Sequence, residues 1–146
     1  PGSVHTTLFP EPADLTAGIT AAQRERLAGW DRLMEVRQEV MKSLEAARRD
    51  KFIGAPLEAC VRIAAPGEVH ALLEQHREEL AALFIVSQVQ LENGDRLAVS
   101  VERAAGVKCE RCWKYAVHVG YNAQLPTVCA DCAAVIVETM RDPTCA

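Results

Sequence analysis

Apolar residues recur at threes, fours and sevens from Thr20 to about Lys51, at Leu27, Trp30, Leu33, Met34, Val40, Met41 and Leu44. That spacing predicts one long amphipathic helix with a wide apolar face. Thr20 followed by Gln23 is a capping-box pattern for its start, and Gly54 and Pro56 mark its end. Such a long helix is expected to need partners along its length, some of which could lie in protein outside this sequence. Arg24, Arg26, Arg32, Arg37, Lys42, Arg48, Arg49 and Lys51 line the other face, interleaved with Glu25, Asp31, Glu35, Glu39, Glu45 and Asp50. This pattern favours a solvated face with intrahelical ion pairs over a phosphate-binding stripe.

The period then shortens. Leu57 to Ile63 alternates loosely and predicts a strand. Pro66 and Gly67 turn the chain, and Val69, Leu72, Leu73, His76 and Leu80 repeat as a short helix over Glu68 to Leu80, with His76 as a half-buried filler. Leu83 to Leu91 predicts a second strand. Asn93, Gly94 and Asp95 suit a turn, because Asn and Gly tolerate positive φ. Leu97, Val99 and Val101 then predict a strand that pairs back as an antiparallel hairpin. Ahead of the long helix, Pro10, Pro12 and Gly18 punctuate an extended lead-in, with Leu8 and Phe9 expected to pin it to a neighbouring surface.

The strongest chemical signal lies near the end. Cys109-Glu110-Arg111-Cys112 and Cys129-Ala130-Asp131-Cys132 are two Cys-x-x-Cys pairs, at a separation expected of a four-cysteine zinc site. Each short knuckle points two sulfurs at one ion, and together they complete a tetrahedron. Four thiolates leave no open position, so one structural Zn2+ is expected, supplying folding free energy on the order of 10 kcal/mol. Two disulfides or a redox-active pair could use the same residues, and His118 could replace one cysteine; the spacing favours four-thiolate zinc. The expected fold class is therefore α+β: a long N-terminal helix, a small α/β unit with an antiparallel hairpin, and a C-terminal zinc finger. The expected division is residues 1–19 as lead-in, 20–54 as the helix, 55–105 as the α+β unit, 106–140 as the finger and 141–146 as a flexible tail. Pro1, Gly2 and Ser3 look like a cloning scar.

Composition changes this picture little. The 146 residues are 49% hydrophobic and 25% charged, values of an ordinary soluble globular protein. No apolar run approaches the roughly 20 residues needed to span a membrane, and no signal peptide is visible. Cys60 sits in an apolar run and reads as a buried thiol; Cys145 reads as frayed. Such cysteine usage fits the cytoplasm. The net charge of −4 leaves room for a local basic patch. No Gly-rich phosphate loop, His-Glu-x-x-His or Gly-x-Ser-x-Gly is present, so no catalytic residue is assigned.

Lys108, Arg111 and Lys114 crowd the first knuckle, with Arg103 just before and Trp113 and Tyr115 interleaved. Cations hold phosphates and aromatic rings stack on unpaired bases, and backbone N–H groups of the knuckle could add donors. The alternative places Trp113 and Tyr115 in a small core under the ion, which the position of Trp113 directly after a ligand favours.

Lys108 to Tyr115, continuing through Pro126, Cys129 and Cys132, resembles the C-terminal zinc module of the bacterial isoleucyl-tRNA synthetase family. Val4, His5, Leu8, Phe9 and Pro10 resemble the segment leading into that family's last anticodon-domain helix, and Trp30 through Val40 resembles the helix. Lys51, Ile53, Gly54, Leu57, Glu58 and Ala59, and later Leu83 to Ser87, match the stretches that follow. The metal fold also resembles the finger of formamidopyrimidine-type DNA glycosylases, whose catalytic parts have no counterpart here. The tail beyond Val137 lies outside the resemblance. The synthetase resemblance implies the end of an anticodon-binding bundle, a junction domain and a zinc finger, with ATP used only by a catalytic domain that is absent. It implies tRNA, through its anticodon stem-loop, and the rest of the synthetase as partners, without DNA or membrane. It points to Lys108, Arg111, Trp113 and Lys114 as tRNA-facing residues.

Overall fold

Residues 8–141 are described by a computed structural model. The architecture is mixed helix and small sheets, in the order α1 (Pro12–Thr16), α2 (Ala21–Ala28), α3 (Trp30–Arg49), a 3₁₀ turn (Pro56–Glu58), β1 (Ala59–Ala65), α4 (Gly67–Gln75), α5 (Arg77–Phe84), β2 (Gln88–Asn93), β3 (Ala98–Arg103), β4 (Val107–Lys108), β5 (Tyr115–Ala116) and α6 (Ala130–Arg141). Val4, His5, Cys145, the residues read as a cloning scar and all but the first residue of the expected tail lie outside the described range.

The predicted single helix is two. Thr20 caps α2 as expected, its hydroxyl accepting from the Gln23 N–H while Gln23 reaches back to the Thr20 N–H. The helix then breaks at Gly29, and α3 starts at Trp30. α4 crosses close at this point, since a Cβ on Gly29 would lie 2.6 Å from Leu72 Cδ1. Leu33, Val36, Val40 and Leu44 form the buried face of α3. Its outer face carries the ion pairs Arg32–Glu35, Lys42–Glu39 and Arg48–Glu45, each one turn apart, as the charge pattern predicts. The lead-in is not wholly extended, since Pro12 and the Glu11–Asp14 capping box start the short α1. Leu8 and Phe9 are 91% and 97% exposed, so they pin nothing here.

β1 is the central strand. Its residues Ala59, Val61, Ile63 and Ala65 are all completely buried, and both of its sides are paired. β2 runs parallel to it, with Cys60 opposite Gln88 and Ala65 opposite Asn93. β3 runs antiparallel on the other side, with Ala59 opposite Arg103. The expected hairpin is thereby corrected: β2 and β3 are antiparallel, but β1 lies between them. The turn at Asn93–Asp95 exists, yet it carries the chain across the end of β1, where the Gly94 N–H reaches Ala65 O at 2.9 Å. Its inward row of apolar residues is stable only when covered, and the strand is paired along both edges. On the outer face, Arg62 bridges to Glu92 at 2.9 Å and Glu102 at 3.1 Å, tying all three strands together.

Two further expectations shift. The predicted helix over Glu68–Leu80 breaks at His76, giving α4 and α5, and His76 is largely covered, with Nδ1 at 3.0 Å from Glu79. The second strand begins at Gln88 rather than Leu83; Phe84 closes α5 and is completely buried. Ile85 ends that helix in the left-handed region at φ 58°. Leu33, Val40, Val61, Ile63, Leu73, Leu80, Phe84 and Val86 belong to one core between sheet and helices. A separate buried cluster holds Cys109, Val128, Cys129, Cys132 and Ala133.

Gly106 permits the β4–β5 pairing of that second region. Its φ is 95°, and a Cβ there would fall 2.3 Å from the Ala116 backbone. Gly106→Ala is expected to lower the stability of this hairpin by about 2–4 kcal/mol, from left-handed strain and overpacking together. Chelator challenge of the wild-type and variant chains checks this, with faster metal loss expected in the variant.

Candidate metal centre

The two knuckles meet because the chain folds back on itself twice. Val107 pairs with Ala116 and Lys108 with Tyr115, which closes the first knuckle. The Cys109 N–H donates to Lys114 O and the Trp113 N–H to Cys109 O, both at 2.9 Å. The second pair straddles the start of α6, whose first residues are Ala130-Asp131-Cys132. The loops are joined by Glu110 N–H to Thr127 O at 3.1 Å and by Cys129 N–H to Cys109 Sγ at 3.3 Å.

Cys109, Cys112, Cys129 and Cys132 place their four sulfurs within 4.8 Å of one another. All four are free thiols, as is Cys60, so no disulfide forms among the described residues. Cys112 Sγ and Cys129 Sγ are 3.8 Å apart. A tetrahedron with zinc–sulfur bonds of about 2.3 Å requires sulfurs about 3.8 Å apart. The donor set therefore fits a zinc ion.

Electrostatics leads to the same conclusion. At Cys109, burial pushes the thiol up, but the backbone N–H groups of Cys112, Cys129 and Arg111 outweigh it and hold the group down to about 6. Burial, aided by the surrounding sulfurs, pushes Cys112 up to about 12. Burial raises Cys129 as well. A cation would stabilise negative charge on more than one sulfur in this volume. His118, Cys129 and Asp131 form a second close group that shares Cys129. The buried His118 Nε2 has no hydrogen-bond partner. Four thiols complete the tetrahedron without this histidine.

The basic and aromatic residues are placed unevenly. Arg111 turns onto the metal site, its Nη1 3.6 Å from Cys132 Sγ. Lys108 Nζ stands 5.5 Å from the centre of the Trp113 ring, within cation–π range. Trp113 is 61% exposed and sits at φ 66°, so it is no part of a core. That core is built instead from Val128 and Ala133 with Ala116, Val119, Leu125 and Ile136. Tyr115 is half-buried in β5 and Lys114 is exposed. Arg103 lies over the Phe52 ring at 5.6 Å, away from the group it was grouped with in sequence. The N–H groups of Cys109, Glu110, Trp113 and Cys129 are engaged within the module. They are not the spare donors expected. Ser87 and Gln88, at the start of β2, also touch the knuckle, and nothing in an ordinary strand pattern marks them.

A family described as "Zinc finger found in FPG and IleRS" matches residues 106–135. Over more of its length the chain is similar to isoleucine–tRNA ligases. It is 47% identical to that of Syntrophotalea carbinolica over 81% of this chain and 14% of the relative. It is 41% identical to that of Halalkalibacterium halodurans over 92% of this chain and 15% of the relative. It is 37% identical to that of Geobacter sulfurreducens over 92% and 15%. The chain thus spans about one-seventh of the curated relatives it matches. Taken with the sulfur geometry, this gives the cofactor as one structural zinc ion, for which Cys109, Cys112, Cys129 and Cys132 would be the ligands.

Cys112→Ser is expected to abolish stoichiometric zinc and unfold the knuckle module, leaving the helix–sheet core folded because the two buried clusters share no residue. Elemental analysis together with amide spectra tests this; a variant that keeps one zinc per chain contradicts it. Each thiolate bound to zinc displaces a proton, so affinity falls as pH falls. Metal retained near neutrality should therefore be released on acidification, which a chromogenic chelator follows directly.

Proposed function

The chain belongs to the isoleucine–tRNA ligase family, and from that premise we propose that it binds isoleucine tRNA and helps position the anticodon region for aminoacylation. It carries a synthetase-associated zinc domain. The observation that supports an RNA-facing role is the Lys108–Trp113 pair. An exposed indole at positive φ is held against solvent, with strain of about 1–2 kcal/mol, and a lysine ammonium lies over its ring. Stacking on an unpaired base would use the indole, while Lys108 and Lys114 would meet phosphates. Arg111 contributes through its contact with Cys132 Sγ, fixing the knuckle and keeping positive charge at the same face. Cys60 is buried, and burial pushes its thiol up.

A second reading rests on a different surface. Ile19, Gln23, Leu27, Trp30, His76 and Glu79 line a groove of about 320 Å³, with Leu27 and Trp30 roughly half exposed. Here the rest of the synthetase chain would pack, and the zinc domain would brace it with little RNA contact. Among the described residues no helix is long and apolar enough to cross a membrane.

The readings separate in the full synthetase. Under the first, Trp113→Ala weakens tRNA binding by about 1–3 kcal/mol, the value of one stacked base. Lys108→Ala lowers the salt dependence of log K by about one unit of slope. Both are read from tRNA titrations over a salt series. Unchanged affinity and slope in both variants would leave the brace as the function.

A further inference from the structure

The knuckle and the helix–sheet core have separate buried clusters, so an apolar seam does not set their mutual orientation. The polar contacts between them converge on two adjacent residues. Ser87 Oγ donates to Leu57 O at 2.5 Å and accepts the Tyr115 N–H at 2.8 Å. Gln88 Oε1 accepts the Ala105 N–H at 3.0 Å, while its Nε2 donates to Ala105 O at 2.9 Å and Tyr115 O at 3.4 Å. Ala105 and Tyr115 bracket the first knuckle. Both peptide groups of each bracket residue are therefore held from the start of β2 and the residue before it: Ala105 wholly by Gln88, Tyr115 by Ser87 and Gln88 together. The Gln88 amide plays the part of a neighbouring strand. Ser87 is itself fixed to the sheet, through its N–H to Ala59 O at 3.3 Å.

We propose that Ser87 and Gln88 are a clamp that fixes the first zinc knuckle on the sheet and so sets the direction in which Lys108 and Trp113 face. They are positioning residues. Every residue suggested above to meet RNA lies between the two clamped peptides, so one rotation about the joint would move them all together. The clamp stands on the hydrogen bonds alone; its effect on tRNA rests on the proposed function.

The zinc-loaded chain is the right material for the test. Residual dipolar couplings of wild-type amides in the sheet and in the knuckle should fit a single alignment tensor. In the Ser87→Ala/Gln88→Ala double variant the knuckle should need its own, weaker tensor, with one zinc still bound. A single shared tensor in that variant overturns the proposal. If the double variant does not fold, Gln88→Glu serves in its place. It keeps the shape and the acceptor for Ala105 N–H but loses both donated bonds, and decoupling is again required. Ser87→Thr with Gln88 intact, which retains the hydroxyl, should keep the single tensor.

In the full synthetase, a knuckle that occupies the binding orientation about one-tenth of the time should bind tRNA about tenfold more weakly. Affinity that depends on Trp113 but is indifferent to Ser87 and Gln88 overturns the positioning role. Affinity indifferent to Trp113 overturns the RNA reading instead, and the alignment data then decide the clamp by themselves.

Discussion

Four thiolates can share one small volume only around a cation. The second half of the molecule depends on that constraint. Its buried cluster contains three of those cysteines beside little more than Val128 and Ala133, too little apolar area to hold a fold of this length. With the ion in place, the same atoms that repel one another become the strongest links in the module. The N–H of Cys129 and the guanidinium of Arg111 then spread the sulfur charge onto the surrounding chain. Residues near the centre are consequently organised around charge, and aromatic rings are displaced to the outside.

The first half follows a different logic. β1, a strand with one face wholly buried, gathers helices on that side and pairs along both edges. It is conventional hydrophobic packing, in which no polar side chain is fully buried among the described residues. Two regions of such different chemistry cannot blend into one core. They meet instead through directed hydrogen bonds, which specify angle far better than apolar contact does. A face that must present a few side chains to a partner benefits from that kind of joint, because pre-orientation lowers what binding must otherwise order.

The cysteine spacing made the metal site legible from sequence, since a tetrahedron needs two short knuckles and little else. The cap at Thr20 and the ion pairs of α3 were legible for a similar reason: they are set within one or two helical turns. What escaped was set by distant chain. Gly29 looks like a tolerated residue inside a helix until Leu72 is seen against it. Leu83–Val86 has the apolar content of a strand, and only packing shows that it ends a helix with Ile85 in a left-handed turn. An Asn-Gly turn predicts a reversal, which occurs, but not that another strand occupies the gap. Trp113 follows a metal ligand, and local reading put it under the ion; the positive φ of the knuckle swings it outward.

The place of β1 has a bearing on biosynthesis. Both of its neighbours follow it in the chain, and the later one reaches Arg103, opposite Ala59. During translation the strand therefore waits with bare edges, an apolar ribbon open to wrong associations, until that residue has left the ribosome. The cysteines follow the sheet in the chain and so leave the ribosome after it. A nascent chain stalled before Ala98 would present an incomplete sheet that ambient zinc could not rescue.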